Sequence, residues 1–284
     1  MKQHTVLTIL LLMLIKPFSS AQERDTIPTS RLINRAVSYG IGYANIYDTY
    51  LSPQEYRGID IRISRETMKM ARNLGPSVSI QNFLQANLSF THNNIDNNNS
   101  MSGMVNWNYG IHYQIHLSSN FKILTGGLID TNLGFIYNLR NGNNPATAKL
   151  FVNLAGSAMA IWHTKIKNYP ITLRYQINVP LAGVMFSPNF GQSYYEIFSL
   201  GNRRGVVRFV SLHNQPSFRQ ILSVDLPIRK SKIRISYLCD IQQAKINKIT
   251  SHYYGHSFMV GVVTEMFKLN SKESKKLPSN LKAY

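Results

Sequence analysis

The stretch Ile171-Thr172-Leu173-Arg174-Tyr175-Gln176-Ile177-Asn178-Val179-Pro180-Leu181 alternates, residue by residue, between apolar and polar side chains. A strand points successive side chains to opposite faces. This segment therefore has one face of Ile, Leu, Tyr and Val and another of Thr, Arg, Gln and Asn. It is also longer than the five or six residues usual in a soluble sheet. A strand with lipid on one side and a polar lumen on the other needs both properties.

The same pattern recurs on either side of it. Val105, Trp107, Tyr109, Ile111, Tyr113, Ile115 and Leu117 oppose Asn106, Asn108, Gly110, His112, Gln114 and His116. Leu150, Val152, Leu154, Gly156, Ala158, Ala160 and Trp162 share a face, Ile59, Ile61 and Ile63 oppose Asp60, Arg62 and Ser64, and Ile233, Ile235, Tyr237, Cys239 and Ile241 oppose Arg234, Ser236, Asp240 and Gln242. Twelve strands are expected, near 36–47, 57–70, 78–90, 102–117, 121–138, 147–163, 170–182, 193–200, 205–213, 217–228, 231–245 and 253–268. The fold class is all-β: a single antiparallel transmembrane β-barrel of about 12 strands, spanning 36–268.

The chain opens with Lys2, an uncharged apolar run from Val6 to Ile15, and small residues at Ser19-Ser20-Ala21. This is the layout of a cleavable export signal, residues 1–21. The run is too short for a spanning helix, which needs about 20 residues. An N-terminal periplasmic segment (22–35) and a polar C-terminal tail (269–284) flank the barrel. These features place the protein in a Gram-negative outer membrane, with lipid and lipopolysaccharide as its surroundings. With the N-terminus in the periplasm, the longer connections, including the Asn-rich runs 93–99 and 141–145, face outward. The short ones face the periplasm, as in outer-membrane barrels.

The net charge is +18, and removing Lys2 and Lys16 leaves 29 basic residues against 13 acidic ones, or +16. Such a balance often marks nucleic-acid binding, but an exported chain does not meet nucleic acid. The charge gathers at the expected periplasmic turns, at Arg72, Lys165, Lys167, Arg203, Arg204, Arg229, Lys230 and Lys232, and in the tail at Lys272, Lys275, Lys276 and Lys282. Snorkelling side chains at a membrane boundary account for this rim. Anionic lipid or an acidic periplasmic partner would also fit it. Cys239 is the one cysteine, so no intrachain disulfide can form.

The inward faces carry charges of both signs. Asp60, Glu66, Asp130, Glu196, Asp225 and Asp240 are the acids, and Arg62, Arg174, Arg208, Arg219 and Arg234 the bases. Unpaired buried charge costs several kcal/mol, so these groups are expected to pair and fill the bore. A selective pore whose arginines handle small anionic solutes is the alternative.

His112 and His116 share a face but stand about 13 Å apart along a strand, too far to ligate one metal ion. No Gly-rich phosphate loop occurs, and neither a cofactor nor a metal is expected. Ser211 and His213 point to one side of a strand, toward lipid if Arg208 points inward. A paired hydroxyl and imidazole there could attack a lipid ester. The arrangement resembles the outward Ser–His pair of the outer-membrane phospholipase, in reversed order and without an evident third polar partner.

Several phrases occur together: Asp48-Thr-Tyr-Leu-Ser-Pro-Gln-Glu-Tyr-Arg-Gly58, Asn106-Trp-Asn-Tyr-Gly110, Gly126-Gly-Leu-Ile-Asp130, Arg140-Asn-Gly-Asn-Asn-Pro-Ala146, Leu173-Arg-Tyr-Gln-Ile-Asn-Val-Pro180, Gly191-Gln-Ser-Tyr-Tyr-Glu-Ile-Phe198 and Ser211-Leu-His-Asn-Gln-Pro216. In these the mature chain resembles the uncharacterised family numbered 3316 among domains of unknown function, found in Bacteroides-type bacteria. The resemblance implies a Gram-negative outer-membrane setting and carries no catalytic residue. The charged tail after Phe267 departs from the aromatic ending usual in such barrels.

Overall fold

A computed structural model describes residues 32–267 apart from 72, 96, 143, 168, 229 and 230. The export signal, most of the segment 22–35 and the tail from 269 lie outside the described residues. So do Arg72, Arg229, Lys230 and the tail lysines of the expected rim.

Eleven strands run in order: β1 (Leu32–Asp48), β2 (Ser52–Met70), β3 (Val78–Asn93), β4 (Asn99–His116), β5 (Phe121–Asn138), β6 (Ala146–Ile166), β7 (Tyr169–Phe186), β8 (Val207–Ser211), β9 (Phe218–Ile228), β10 (Ser231–Ile246) and β11 (Ile249–Phe267). One short helix, α1 (Tyr194–Phe198), lies between β7 and β8. All pairings are antiparallel, and each strand pairs with the next in sequence except β8 with β9. The first and last pair along their whole length, from Leu32 opposite Phe267 to Asp48 opposite Ser251. The sheet is therefore closed, and no long edge is left to pair with another chain.

Ten strands make the closed circuit, not twelve, and β8 lies outside it, pairing with β7 alone. Strand β6 takes one edge of β7 throughout. On the other edge β9 pairs with Thr172–Asn178 and β8 with Ala182–Phe186. The gap between them coincides with Pro180, which has no N–H for a ladder bond. The expected strand at 193–200 is the helical segment. Ser193 caps it: the Glu196 amide donates to Ser193 Oγ at 3.2 Å, and the Ser193 amide donates to the Glu196 carboxylate at 3.4 Å. This reciprocal pair satisfies two N–H groups that no helical carbonyl reaches.

Losing that strand changes which end of the barrel its neighbours occupy. The connection 187–206 begins and ends at the end away from both termini, here the loop end. Arg203 and Arg204 sit there, not among the turns beside the termini. Lys165, Lys167 and Lys232 do lie at the termini end.

The alternation is realised in the walls. On β2, Ile59, Ile61 and Ile63 are exposed while Asp60, Arg62 and Ser64 are buried. The exposed apolar side chains of β2 are bounded by exposed Arg57 and Arg65. Eight residues at about 3.3 Å each give about 26 Å along the strand. At the tilt of such barrels this is roughly 20 Å of height, close to the apolar band of an outer-membrane barrel. No helix among the described residues is long and apolar enough to cross a membrane, a statement that does not bear on strands.

The interior is layered. Tyr56, Met104, Ile136 and Tyr253 pack with Ala44 and Ile46 near the loop end, beside a second cluster of Phe151, Met185, Val210, Ala244 and Ile246. Met68, Leu124, Met159 and Ile161 close the termini end. Phe83, Leu238 and Met259 form a further apolar patch between two polar layers.

Candidate functional site

The two polar layers hold the charges that the alternation turns inward. The layer nearer the loop end is built on Asp60 and Asp240. Neighbouring residues of one inward face, Asp60 and Arg62, meet at 3.1 Å with both side chains fully buried. Asp60 also accepts from Asn87, Ser89, Tyr253 and Ser257, at 2.8 to 3.0 Å. Arg62 reaches Gln85 at 3.2 Å and Asp240 at 3.4 Å. Arg219 grips both oxygens of Asp240, at 3.2 and 3.1 Å. Its other nitrogen donates to Asn106 and Asn108 at 2.7 and 3.0 Å. Those two amides donate in turn to Asp130, which stands 3.7 Å from Arg219.

The layer nearer the termini is built on Glu66. Arg174 Nη1 donates to it at 2.7 Å and Arg234 Nη1 at 2.6 Å. Arg234 also holds Asp225 through Nε and Nη2, at 2.6 and 2.8 Å. Gln81 bonds Glu66 and exchanges a reciprocal pair of 2.9 Å bonds with Gln176. Gln176 continues to Asn178, Ser157 bonds Asn178, and His112 meets Ser157 at 2.9 Å.

Four arginines thus face five carboxylates, and each arginine lies within 3.1 Å of an acid. Buried ion pairs hold best when remaining donors and acceptors are also satisfied; amides and hydroxyls supply many of those bonds here, while Arg174 Nε and Arg219 Nε are buried without a hydrogen-bond partner among the described residues. Among the described residues the wall leaves little space near the loop-end apolar layer: a cavity there, lined by Met104, Phe151 and Tyr253, is about 20 Å³.

Nine of the eleven charged residues expected on inward faces are buried there: Asp60, Arg62, Glu66, Asp130, Arg174, Arg219, Asp225, Arg234 and Asp240. Glu196 and Arg208 are not. Glu196 is the capping residue of α1. Arg208 is exposed on β8 at the loop end, where its Nε donates to Asn247 Oδ1 at 2.8 Å. Tyr253, whose hydroxyl touches both Asp60 and Arg62, was not singled out by the sequence reading, nor were Gln81, Gln85 and Gln176. Their inward parity was the available signal.

Ser211 and His213 do meet, Oγ to Nδ1 at 2.5 Å. They lie at the end of β8 in a turn. Asn214 spends its side chain on local backbone, accepting from the Ser211 amide and donating to the Phe209 carbonyl. Among the described residues no carboxylate is hydrogen-bonded to His213. His112 is buried and His116 exposed on β4, and no group of three or more His, Cys, Asp or Glu among the described residues could hold a metal ion.

A family model described as "Protein of unknown function (DUF3316)" matches residues 6–273. No curated protein matches the chain. Among solved structures, the outer membrane protease OmpT from Escherichia coli aligns with a TM-score of 0.50 at 8% identity, over 85% of this chain and 99% of that one. The transport unit of the autotransporter AIDA-I from Escherichia coli aligns at 6% identity and a TM-score of 0.45, over 93% of this chain and 97% of that one. The OmpT likeness is one of fold: the barrel matches that of an outer-membrane protein.

Proposed function

The chain belongs to the DUF3316 family, and we propose that it stands in the outer membrane of a Gram-negative cell as a barrel with a sealed lumen, acting as a structural membrane protein and not as an open conduit. The observation that carries this reading is the Arg174–Glu66–Arg234 bridge across the bore. Apolar layers above and below it support the same reading. The termini lie on the periplasmic side, and the lysines of that end contact anionic headgroups or an acidic periplasmic partner.

A pore selective for small anionic solutes would need arginines free to meet the solute. The four lumen arginines are instead committed to carboxylates. Liposome swelling tests the reading. Vesicles carrying the protein should swell no faster than empty ones in neutral or anionic sugars. Swelling that depends on solute size or charge would establish a pore.

The Ser211–His213 contact favours one further reading, a lipid-acting hydrolase. It lacks a carboxylate to orient the imidazole and hold the positive charge that develops on it. It is the weaker of the two for that reason.

A further inference from the structure

At the loop end, between the β10–β11 turn and the connection after β7, lies an open depression of about 620 Å³. Arg208, Lys245 and Lys248 line it together with Phe190, Phe209 and Asn247. We propose that it binds the phosphate groups of an anionic lipid headgroup, a role that rests on the membrane reading above.

The first argument is charge. Arg208, Lys245 and Lys248 have no carboxylate partner among the described residues. Across 187–217 the sequence holds a single acid, Glu196, and its carboxylate is engaged in capping α1. Three cations facing one hollow repel each other unless an anion joins them. Phosphate is suited to that place because its several oxygens accept charge-assisted bonds from more than one donor.

The second is construction. Asn247 fixes the hollow: its Nδ2 donates to the Ser187 and Gly205 carbonyls at 2.8 and 2.9 Å while its Oδ1 holds Arg208. The Lys245 amide donates to the Asn214 carbonyl at 2.8 Å. Asn247 and Lys248 make a two-residue hairpin turn with φ of 52° and 64°. Asn-Gly is the pair such a turn favours, yet a lysine occupies the second position and brings its ammonium to the hollow.

The third is position, which selects lipid over a soluble anion. On β8, Val207 and Phe209 are 62% and 64% exposed and point outward beside Val184 of β7. Phe190 is 62% exposed. The cationic hollow therefore meets an apolar wall at one edge. That is the geometry of an interfacial site, with acyl chains along the wall and phosphate above them.

The test uses the full mature chain folded in a zwitterionic detergent, with native mass spectrometry to count bound lipid. The probes are diphosphorylated lipid A and the same lipid with its phosphates removed. Wild type should retain the phosphorylated lipid at least about tenfold better, since three cations face its phosphates. A triple variant, Arg208→Ala with Lys245→Ala and Lys248→Ala, should lose that preference. Equal retention of both lipids by wild type, or an undiminished preference in the triple variant, overturns the proposal. Displacement of the lipid by millimolar inorganic phosphate overturns the commitment to lipid. Heat-modifiable mobility on a gel is read on the same samples. Its loss in wild type would overturn the barrel reading, whereas lipid discrimination reports on the hollow alone.

Discussion

Glu66 and Arg174 are hydrogen-bonded at 2.7 Å although they lie on β2 and β7, diametrically opposite strands of a ten-strand ring. Counting either way around, five steps separate them. A direct bond between opposite walls leaves no through-going bore at that level. Arg234 joins the same carboxylate from β10, so the closure is three-sided.

Removing the central acid should be costly. Glu66→Ala strands Arg174 beside Gln176 and leaves Arg234 with Asp225 alone. The loss should be about 3–5 kcal/mol, the usual consequence of orphaning a buried charge. It would be read as a lower denaturant midpoint for the unfolding of the barrel in detergent. A double replacement of Glu66 and Arg174 by Leu and Met should recover part of the loss, because Arg234 keeps its two bonds to Asp225 and no buried charge is then left unpaired.

Gly255 is needed for space in the other layer. A Cβ there would sit 2.8 Å from the Tyr253 ring and 3.0 Å from Arg62 Nη2. Gly255→Val must push aside the guanidinium that pairs with Asp60 and Asp240. A loss of roughly 1–3 kcal/mol is expected, measured in the same unfolding assay. Gly142, which has open space around it, is the control position, and Gly142→Ala should leave the midpoint unchanged.

The loop end should respond to alkali. Tyr50 donates to the Gln192 carbonyl at 2.9 Å and packs edge-on against Tyr194. Burial, with Tyr194 and the carboxylates of Asp48 and Glu196 nearby, pushes its hydroxyl up from 10.0 to about 12. A raised value means that the folded chain keeps a proton which the unfolded chain releases. The associated stability is present below pH 10 and is lost as the pH climbs toward 12. Ultraviolet titration of tyrosinate should show a late-ionising group that Tyr50→Phe removes. An unchanged titration would refute the assignment.

Ser211→Ala should have no catalytic consequence. Wild type and variant should release equally little fatty acid from phospholipid in mixed micelles. Loss of a measurable activity in the variant would promote the hydrolase reading over the sealed barrel.

The walls were legible because lipid and lumen impose a two-residue period on every strand. Parity alone placed Asp60, Arg62, Arg174, Arg219 and Arg234 inside. It could not say which acid each would meet, since that depends on the stagger between strands on opposite walls. The apolar layers at Ile46 and Met159 were equally hidden: they interrupt the polar parity with side chains that cap the lumen. The false strand at 193–200 arose from aromatic and β-branched residues favoured in sheets. The opposing signal was present in Ser193-Tyr-Tyr-Glu196, a capping-box spacing. Missing it put Glu196 and Arg208 in the lumen and moved Arg203 and Arg204 to the wrong end.

Single-channel recording in a planar bilayer tests the sealed lumen most directly. The account predicts no steady unitary current from the folded wild-type protein in salt solution. A stable ohmic conductance in that protein, abolished on unfolding, would contradict it.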